Sequence, residues 1–405
     1  MLKSKILAVH INLNFEGGAE QYLYDVLFEL QKIGYEIKVY FSEDPVSSEL
    51  ASKFSTKRWP PGFFHIYYKN TKSLIEEFKK SVFSEKPDLI YVSELQNPFV
   101  SEFLCRNFPV IRYVNGVRLT CYNGRRILNY SDKICEHKFG TSCFLRTYKE
   151  RCSPRRPDLN LKTILTGLRL LKTAKLAKAL ITPSDYISKL LIKHSVPPSL
   201  IHKIPYYIDP VMFSPDNSIQ KIEPPEILFI GRVVTPKGPH LLLPALKNTN
   251  LLWRYRIIGE GPLKEDILKQ SKELGFADRV IVQNFIPNKE LVDYYRKATL
   301  TVFPSIWPEP FGIVGIESLA CETPVVGFNG GGVSDWLKDG VCGFLVERKD
   351  LNCLKNRIEK LLLDRESRER FGSEGRRIVL NNFTKQHHLS KLIPLIEDII
   401  SKSRP

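Results

Sequence analysis

The feature of the sequence that most constrains its fold is the alternation of short apolar runs with longer amphipathic segments. Residues 6–9 form an apolar run, and apolar residues within 20–32 then recur at the three- and four-residue spacing of one helix face. The same order returns between residues 36 and 182. This repetition of strand and helix predicts a parallel β-sheet that is covered by helices on both faces.

The alternation pauses in a proline-rich stretch between residues 204 and 225 and begins again at 227–230. A chain of 405 residues is long enough for two such domains. We therefore predict an α/β fold of two consecutive doubly wound, Rossmann-like domains, 1–205 and 206–384. A final helix, 385–405, is expected to pack back toward the first domain. Ligands bind such sheets at the carboxyl ends of the strands, so the expected site is a cleft between two facing domains.

Positive charge is concentrated in one segment of the first domain. The chain carries 60 Lys and Arg against 44 Asp and Glu, and residues 112–178 alone hold 16 basic and 4 acidic side chains. A patch of this kind favours an anionic membrane surface, a phosphorylated substrate or a nucleic acid. The alternative is a solvated basic surface. No nucleic-acid-binding module is recognisable, so a nucleic-acid partner is not expected.

The hydropathy pattern indicates a chain that is not inserted in a membrane. No stretch approaches the ~18 uninterrupted apolar residues that a spanning helix needs. The apolar run at 6–9 is too short for the core of a signal peptide. The predicted location is the cytoplasm, including peripheral attachment at the inner face of the membrane.

Two glutamates near a helix start form the strongest candidate site. Glu309 lies in a proline-rich loop, and Glu317 lies on an apolar helix that is expected to begin near Gly312. The free N–H groups and the positive dipole end of such a helix favour an anion such as a diphosphate. A carboxylate on an apolar helix face is costly to bury unless it is hydrogen-bonded. Sugar hydroxyls would supply those bonds to Glu317, and the alternative is that it bonds backbone donors or a lysine.

This pair resembles the paired-glutamate motif, Glu-x7-Glu, of retaining glycosyltransferases of family 4, which have the GT-B fold of two Rossmann-like domains facing across a cleft. Other blocks agree with that family in order and spacing over nearly the whole chain. They are Gly17-Gly18-Ala19-Glu20, Gly231-Arg232, Lys237-Gly238, Gly259-Glu260-Gly261-Pro262, Pro310-Phe311-Gly312, Gly330-Gly331-Gly332 with Asp335, and 340–346.

The resemblance implies a role for each matched residue. Arg232 and Lys237 would hold the diphosphate of a UDP- or GDP-sugar. Glu309 would face the donor sugar, and Glu317 would bind ribose hydroxyls. The chain contains no Asp-x-Asp pair, so the two cations would neutralise the diphosphate in place of a metal, and catalysis would need no cofactor. The other implied donor-binding residues are Gly231, Gly259, Phe285, Pro310, Phe311, Gly312 and Ile313, while Gly17 and Gly18 would contact the acceptor or a phosphate.

The implied activity is that of a retaining hexosyltransferase acting on a glycan or lipid-linked glycan in polysaccharide biosynthesis. The chain departs from the family at Asn115, a site implied to be catalytic, where many members carry a histidine, and in the linker 206–209. Asparagine can position a hydroxyl group but cannot transfer a proton near neutral pH. The alternatives are therefore a transferase with a small-metabolite acceptor, or a binding or regulatory protein that has lost turnover.

A cysteine-rich insert, 115–160, is the segment that the resemblance explains least. It is strongly basic and has few apolar runs, so it is not expected to build a core of its own. The surrounding cations are expected to lower the thiol pKa values, which favours metal thiolates. We predict a structural zinc site here, with free thiols or disulfides as the alternatives. The ligands would be Cys121, Cys135, Cys143 and Cys152, with His137 able to replace one of them.

Overall fold

The structure is a computed structural model that describes residues 4–11, 18–43, 53–66, 68, 71–153 and 155–403. Contacts divide the chain into two compact units. One is formed by Met1–Ile204 together with Ser390–Pro405, and the other by Pro205–Leu389. Each is an α/β unit built on a parallel sheet, as the alternation of the sequence predicted.

The N-terminal unit is a seven-stranded sheet with helices packed around it. In its described residues the strands are β1 (Lys5–Val9), β2 (Glu36–Phe41), β3 (Ser55–Arg58), β4 (Leu89–Ser93), β5 (Val110–Tyr113), β6 (Ile127–Leu128), β7 (Lys133–Ile134), β8 (Ala179–Thr182) and β9 (Ile201–Lys203). The sheet has the order β3-β2-β1-β4-β5-β8-β9 with parallel neighbours, whereas β6 and β7 form a separate antiparallel hairpin. The helices are α1 (Gly18–Lys32), α2 (Lys72–Glu85), α3 (Pro98–Asn107), α4 (Cys143–Glu150), α5 (Pro157–Ala174) and α6 (Asp185–Lys193).

The strand order of this sheet reverses at β1. The chain adds β2 on one side of β1 and returns to add β4 on the other side. In open α/β sheets, ligands bind in the crevice at the carboxyl ends of the two strands where the order reverses. A ligand of this unit is therefore expected at the carboxyl ends of β1 and β4, and polar side chains there are candidates for binding it.

The C-terminal unit has a six-stranded sheet in which all neighbours are parallel. Its strands are β10 (Glu226–Ile230), β11 (Arg254–Ile258), β12 (Val280–Gln283), β13 (Leu300–Phe303), β14 (Val325–Phe328) and β15 (Gly343–Val346), in the order β12-β11-β10-β13-β14-β15. Its helices are α7 (Leu242–Leu246), α8 (Lys264–Glu273), α9 (Asn288–Lys297), α10 (Ile313–Ala320), α11 (Leu351–Leu363) and α12 (Arg365–Asn382). The last helix, α13 (Lys385–Ser403), begins in this unit and ends in the other.

The apolar side chains of the cysteine-rich insert join the core of the N-terminal unit. Leu119, Tyr122 and Phe139 are buried in the same apolar cluster as the strands of the N-terminal sheet. Phe139 packs so tightly on α5 that a Cβ at Gly167 would lie 2.9 Å from its ring. The insert is therefore fixed by aromatic side chains that reach out of it and pack against α5.

A buried arginine also holds the insert together. Arg126 donates hydrogen bonds from Nη1 to Thr120 O at 2.8 Å, and from Nη2 to Cys135 O at 2.5 Å and to His137 O at 3.0 Å. Its side chain is among the largest that are fully buried. One guanidinium group thus satisfies three carbonyl groups of an irregular segment that has few ladder hydrogen bonds of its own.

We expect Arg126→Met to lower the free energy of unfolding by about 3 kcal/mol, because it leaves buried carbonyl groups without donors. The neighbouring Arg125 is exposed, so Arg125→Met is the matched control and should change stability by less than about 0.5 kcal/mol. Urea denaturation followed by tryptophan fluorescence measures both variants. Equal stability of the two variants would show that Arg126 does not hold the insert.

None of the helices in the described part of the chain is long and apolar enough to cross a membrane.

Candidate functional site

Glu309 lies at the centre of a hydrogen-bonded cluster in the loop between β13 and α10. Its side chain is 4% exposed, and its Oε1 accepts hydrogen bonds from Lys237 Nζ at 2.7 Å and from Ser305 Oγ at 2.6 Å. Lys237 is partly exposed, and its ammonium group has three donors. It can therefore neutralise the buried carboxylate and still donate to an incoming anion.

A glycine run fixes the backbone of Glu309. Gly332 N–H donates to Glu309 O at 2.7 Å, and Gly331 has a positive φ of 69°. A Cβ at Gly331 would lie 2.2 Å from Glu309 O, so no other residue fits there without moving the loop. The run beginning at Gly330 therefore holds the loop that presents Glu309.

Glu317 is a buried carboxyl group on α10. Tyr295 OH, from α9, donates a hydrogen bond to its Oε2 at 2.7 Å. Burial raises the pKa of Glu317 to about 7, and the bond from Tyr295 only partly opposes this effect. The partner within the chain is thus a tyrosine hydroxyl, and not the backbone donor or lysine of the alternative interpretation. A carboxyl group of this kind changes charge near neutral pH, and a ligand that donates hydrogen bonds to it would favour the ionised form.

The loop after β10 carries the two predicted cations. Lys237 ends a short 3-10 turn, Thr235–Lys237, and Gly238 follows with a φ of 73°. A Cβ at Gly238 would lie 2.0 Å from Pro304 O, so this loop packs directly against the end of β13. The guanidinium group of Arg232 is exposed and has no ion-pair or hydrogen-bond partner within the described ranges. Arg232 is therefore free to bind an anion, whereas Lys237 already holds Glu309.

Gly231 and Gly259 follow the adjacent strands β10 and β11 and pack against each other. Gly231 N–H donates to Ile258 O at 3.0 Å, and a Cβ at Gly259 would lie 2.0 Å from Gly231 O. Phe285, beyond the end of β12, is 60% exposed, and its N–H donates to Glu260 Oε1 at 3.3 Å. These residues form an edge of closely packed backbone with one exposed ring, which suits stacking of a nucleobase.

The predicted helix start is the beginning of α10, and the predicted donor-binding residues around it differ in how deeply they are buried. Gly312 is the N-cap of α10 with a φ of 109°. Its carbonyl oxygen accepts from Gly315 N–H at 3.1 Å, which leaves the N–H groups of Ile313 and Val314 without an acceptor within the helix. Pro310 and Ile313 are half-buried. The ring of Phe311 is fully buried against Tyr206 and Phe383, with centroid distances of 5.7 and 5.4 Å. Only the backbone of Phe311, and not its ring, can therefore contact a bound nucleotide-sugar.

The remaining predicted residues lie in the N-terminal unit. Asn115 follows β5, and its Nδ2 donates to Ser93 Oγ at 2.9 Å. Gly18 is the first residue of α1 and is exposed, while Gly17 lies outside the described residues. The structure thus brings Lys237 and Glu309 into contact within the C-terminal unit and places Asn115 at the carboxyl end of the N-terminal sheet.

The four insert cysteines are half-buried. Burial raises the pKa values of the Cys121 and Cys152 thiols, so the expectation that nearby cations would lower them is wrong. Cys121 Sγ donates to Asn123 Oδ1 at 2.8 Å, and His137 is exposed. Among the described residues, no group of three or more His, Cys, Asp or Glu side chains is placed to hold a metal ion. All eight cysteines, including Cys135 and Cys143, are free thiols.

Two residues of the site were missed in the sequence. Ser305 and Tyr295 bind the two glutamates, but neither shares a periodic pattern with them. Ser305 could have been found, because it lies four residues before Glu309 in the same loop. Tyr295 could not, because its contact depends on how α9 packs against α10.

Two parts of the chain match two different glycosyltransferase families. Residues 16–211 match Glycosyltransferase Family 4, and residues 214–378 match Glycosyl transferases group 1. The D-inositol 3-phosphate glycosyltransferase of Thermobifida fusca is 34% identical over 210 residues, covering 47% of this chain and 48% of that protein. The chain spans about half the length, or slightly less, of the curated relatives it matches.

Solved structures agree with the chain over nearly its full length. A glycosyltransferase from Rickettsia africae has a TM-score of 0.75 and 16% identity, covering 99% of this chain and 100% of that chain. HepE from Anabaena, solved with UDP-glucose, has a TM-score of 0.70 and 18% identity, covering 99% of both chains. At these identities the likeness shows the fold, which is GT-B, with two Rossmann-like domains.

Proposed function

We propose that this chain is a GT-B glycosyltransferase of family 4, which its two family matches support. In this proposal it transfers a sugar from a UDP- or GDP-sugar to a glycan or lipid-linked glycan, with retention of configuration. The observation that carries the proposal is the buried Glu309, held by Lys237 and Ser305 in the loop before α10. A fixed carboxylate, a cation and free helix N–H groups match a sugar joined to a diphosphate. Polysaccharide biosynthesis is the pathway class that such an acceptor belongs to.

The proposed reaction needs no metal and no protein nucleophile. The bond from C1 of the sugar to the diphosphate oxygen breaks, and the acceptor oxygen bonds to C1 on the same face. The acceptor's proton passes to the departing phosphate oxygen, so that atoms and charge balance. Arg232, Lys237 and the first turn of α10 would stabilise the negative charge that develops on the leaving group. Glu309 would orient the sugar and stabilise the positive charge at C1.

Donor binding provides the test of this proposal. A ligand that binds only the folded form raises its stability by about 2.7 kcal/mol at a hundredfold excess over Kd. In a thermal-shift screen, some UDP- or GDP-sugars should raise the midpoint, while the free sugars should not. Arg232→Ala should abolish most of the shift, whereas Arg365→Ala, an exposed arginine paired with Glu369 on α12, should preserve it. If no nucleotide-sugar in the panel shifts the midpoint, the proposed function is wrong.

Attachment to an anionic membrane surface would bring the protein to a lipid-linked acceptor. The basic segment 112–178 carries exposed leucines on its helices, at 74% exposure for Leu145, 48% for Leu161 and 53% for Leu165. Leu161 and Leu165 lie one turn apart on α5, and Lys172 lies on the same face two turns further along. Leucines beside lysines on one helix face suit the boundary between lipid headgroups and acyl chains.

We expect the protein to sediment with vesicles that contain anionic lipid and to be released by salt. Each Lys or Arg near such a surface contributes about 1 kcal/mol, and salt screens it beyond about 8 Å at physiological ionic strength. The double variant Leu161→Ser, Leu165→Ser should bind at least tenfold more weakly. Leu363→Ser, at a leucine in the C-terminal unit that is more exposed than either, is the control. Equal binding to neutral and anionic vesicles, or none to either, would contradict this part of the proposal.

A further inference from the structure

His10 occupies the position in the N-terminal sheet where the strand order reverses. It follows β1 directly, and its side chain is 1% exposed. Its Nδ1 lies 2.9 Å from the backbone oxygen of Ser93, the last residue of the neighbouring strand β4. A carbonyl oxygen can only accept, so Nδ1 carries the proton of the neutral ring. The other nitrogen, Nε2, therefore presents a lone pair as an acceptor.

That acceptor is buried and unpaired in the part of the chain that the structure describes. His10 Nε2 makes no hydrogen bond to any atom within the described ranges of the chain. Buried polar atoms are paired in most cases, so an unpaired acceptor at the ligand-binding edge of a sheet is a candidate for a bond to a ligand. His194, a second buried histidine in the same unit, differs in this respect. Its Nδ1 lies 2.7 Å from Leu190 O and its Nε2 accepts from Phe139 N–H at 2.8 Å, so both of its nitrogens serve the fold.

A second unpaired acceptor is held by the same serine. Asn115 Nδ2 donates to Ser93 Oγ at 2.9 Å, which leaves Asn115 Oδ1 as the free end of the amide. This oxygen is also buried without a hydrogen-bond partner among the described residues. Ser93 thus orients one acceptor through its backbone oxygen and the other through its hydroxyl group. Both acceptors lie at the carboxyl ends of central strands, where ligands bind in such sheets.

We propose that His10 Nε2 and Asn115 Oδ1 form one subsite that accepts hydrogen bonds from two hydroxyl groups of a sugar ring. A phosphate or carboxylate does not suit this pair, because it would place acceptors against acceptors. In this subsite, His10 supplies the imidazole that the chain lacks at Asn115. The inference rests on the proposed function and names a ligand contact within it. The hydroxyl groups come either from the transferred sugar or from the acceptor, and the experiment separates these two sources.

The decisive variant is His10→Asn. Its amide nitrogen can replace Nδ1 as the donor to Ser93 O, while nothing replaces Nε2. We expect an unchanged melting temperature and a loss of about tenfold or more in kcat/KM, the effect of removing one or two hydrogen bonds to substrate. His10→Gln places an amide oxygen near the Nε2 position and should restore part of the activity. The control, His194→Asn, should lower the melting temperature and leave kcat/KM of the folded enzyme unchanged.

Two assays identify the source of the hydroxyl groups. If His10→Asn lowers donor hydrolysis in the absence of acceptor as well as transfer, the subsite binds the transferred sugar. If hydrolysis is preserved and the KM for acceptor rises, the subsite binds the acceptor. Both outcomes support the subsite. Rates within twofold of the parent enzyme in both assays overturn it.

A readout without turnover separates this inference from the proposed function. The imidazole nitrogen resonance of His10 Nε2, assigned by its loss in His10→Asn, should move when UDP-glucose, GDP-mannose or a methyl glycoside is added. If the parent protein neither transfers nor hydrolyses any donor but this resonance moves, the proposed function is wrong and the subsite stands. If the protein turns over a donor and the resonance does not move with donor and acceptor present, the subsite alone is wrong.

Discussion

Glu309→Gln is expected to lower kcat by about 10²–10³-fold, the size of effect seen when one preorganised electrostatic contact to a transition state is removed. The amide keeps the shape of the side chain and still accepts a hydrogen bond from Ser305, but it removes the negative charge that would face C1 of the sugar. Nucleotide binding should remain within about threefold, because Lys237 is then freed from its ion pair and can bind phosphate more fully. Steady-state kinetics and calorimetric titration with the nucleoside diphosphate measure the two effects.

Lys237→Met tests whether the ion pair of Lys237 with Glu309 serves nucleotide binding as well as stability. It leaves the Glu309 carboxylate buried without its cation, so the free energy of unfolding should fall by about 3 kcal/mol, and nucleotide binding should weaken as well. Glu369→Gln, at an exposed ion pair on α12, is the control for removal of a carboxylate. Full activity in Glu309→Gln would exclude Glu309 from the reaction, whatever its effect on stability.

Glu317→Gln is expected to stabilise the protein above neutral pH while weakening donor binding. The carboxyl pKa is about 7 in the folded chain against an ordinary value of 4.5, and burial is the cause. The stability that the protonated form provides is fully present below pH 4.5 and is lost as the pH rises through 7. That difference corresponds to on the order of 3 kcal/mol at pH 8, which the uncharged glutamine does not lose.

The measurement is the melting temperature of both proteins between pH 5 and pH 8.5. The advantage of Glu317→Gln should be small at pH 5, grow through pH 7 and level off above pH 8. Donor binding to the parent protein should strengthen over the same range, because ribose hydroxyls donate to the ionised carboxylate, whereas the variant should bind weakly at every pH. A stability difference that does not change with pH would show that Glu317 is not buried as a titrating group.

The prediction of the fold succeeded where the sequence repeats, and its misses have physical reasons. The apolar runs 6–9 and 227–230 lie in the strands β1 and β10, since buried parallel strands are apolar on both faces. β3 was not predicted, because Ser55–Arg58 is a polar edge strand with no apolar alternation. The order of the insert could not be predicted, because it depends on hydrogen bonds from Arg126 to carbonyl groups 6 to 11 residues away that follow no repeating pattern.

The part of the candidate site that could be predicted is the part whose residues lie close together in sequence, in one loop and the helix that follows it. Glu317 could be singled out because a carboxylate on an apolar helix face requires a partner, and Glu309 because it lies in the loop just before that helix. Their actual partners, Ser305 and Tyr295, arise from packing and could not be read from spacing. The same holds for His10, which has no motif around it and becomes informative only when β4 places Ser93 beside its ring.

The most direct test of the central claim is the configuration of the anomeric carbon in the product, compared with that in the donor. The protein should be incubated with the UDP- or GDP-sugar that raises its melting temperature and with a glycan acceptor, and the product followed by proton NMR. The account predicts release of the nucleoside diphosphate together with a new glycosidic bond whose anomeric configuration is that of the donor. A product of inverted configuration, or a donor that binds at saturation with neither transfer nor hydrolysis, would contradict it.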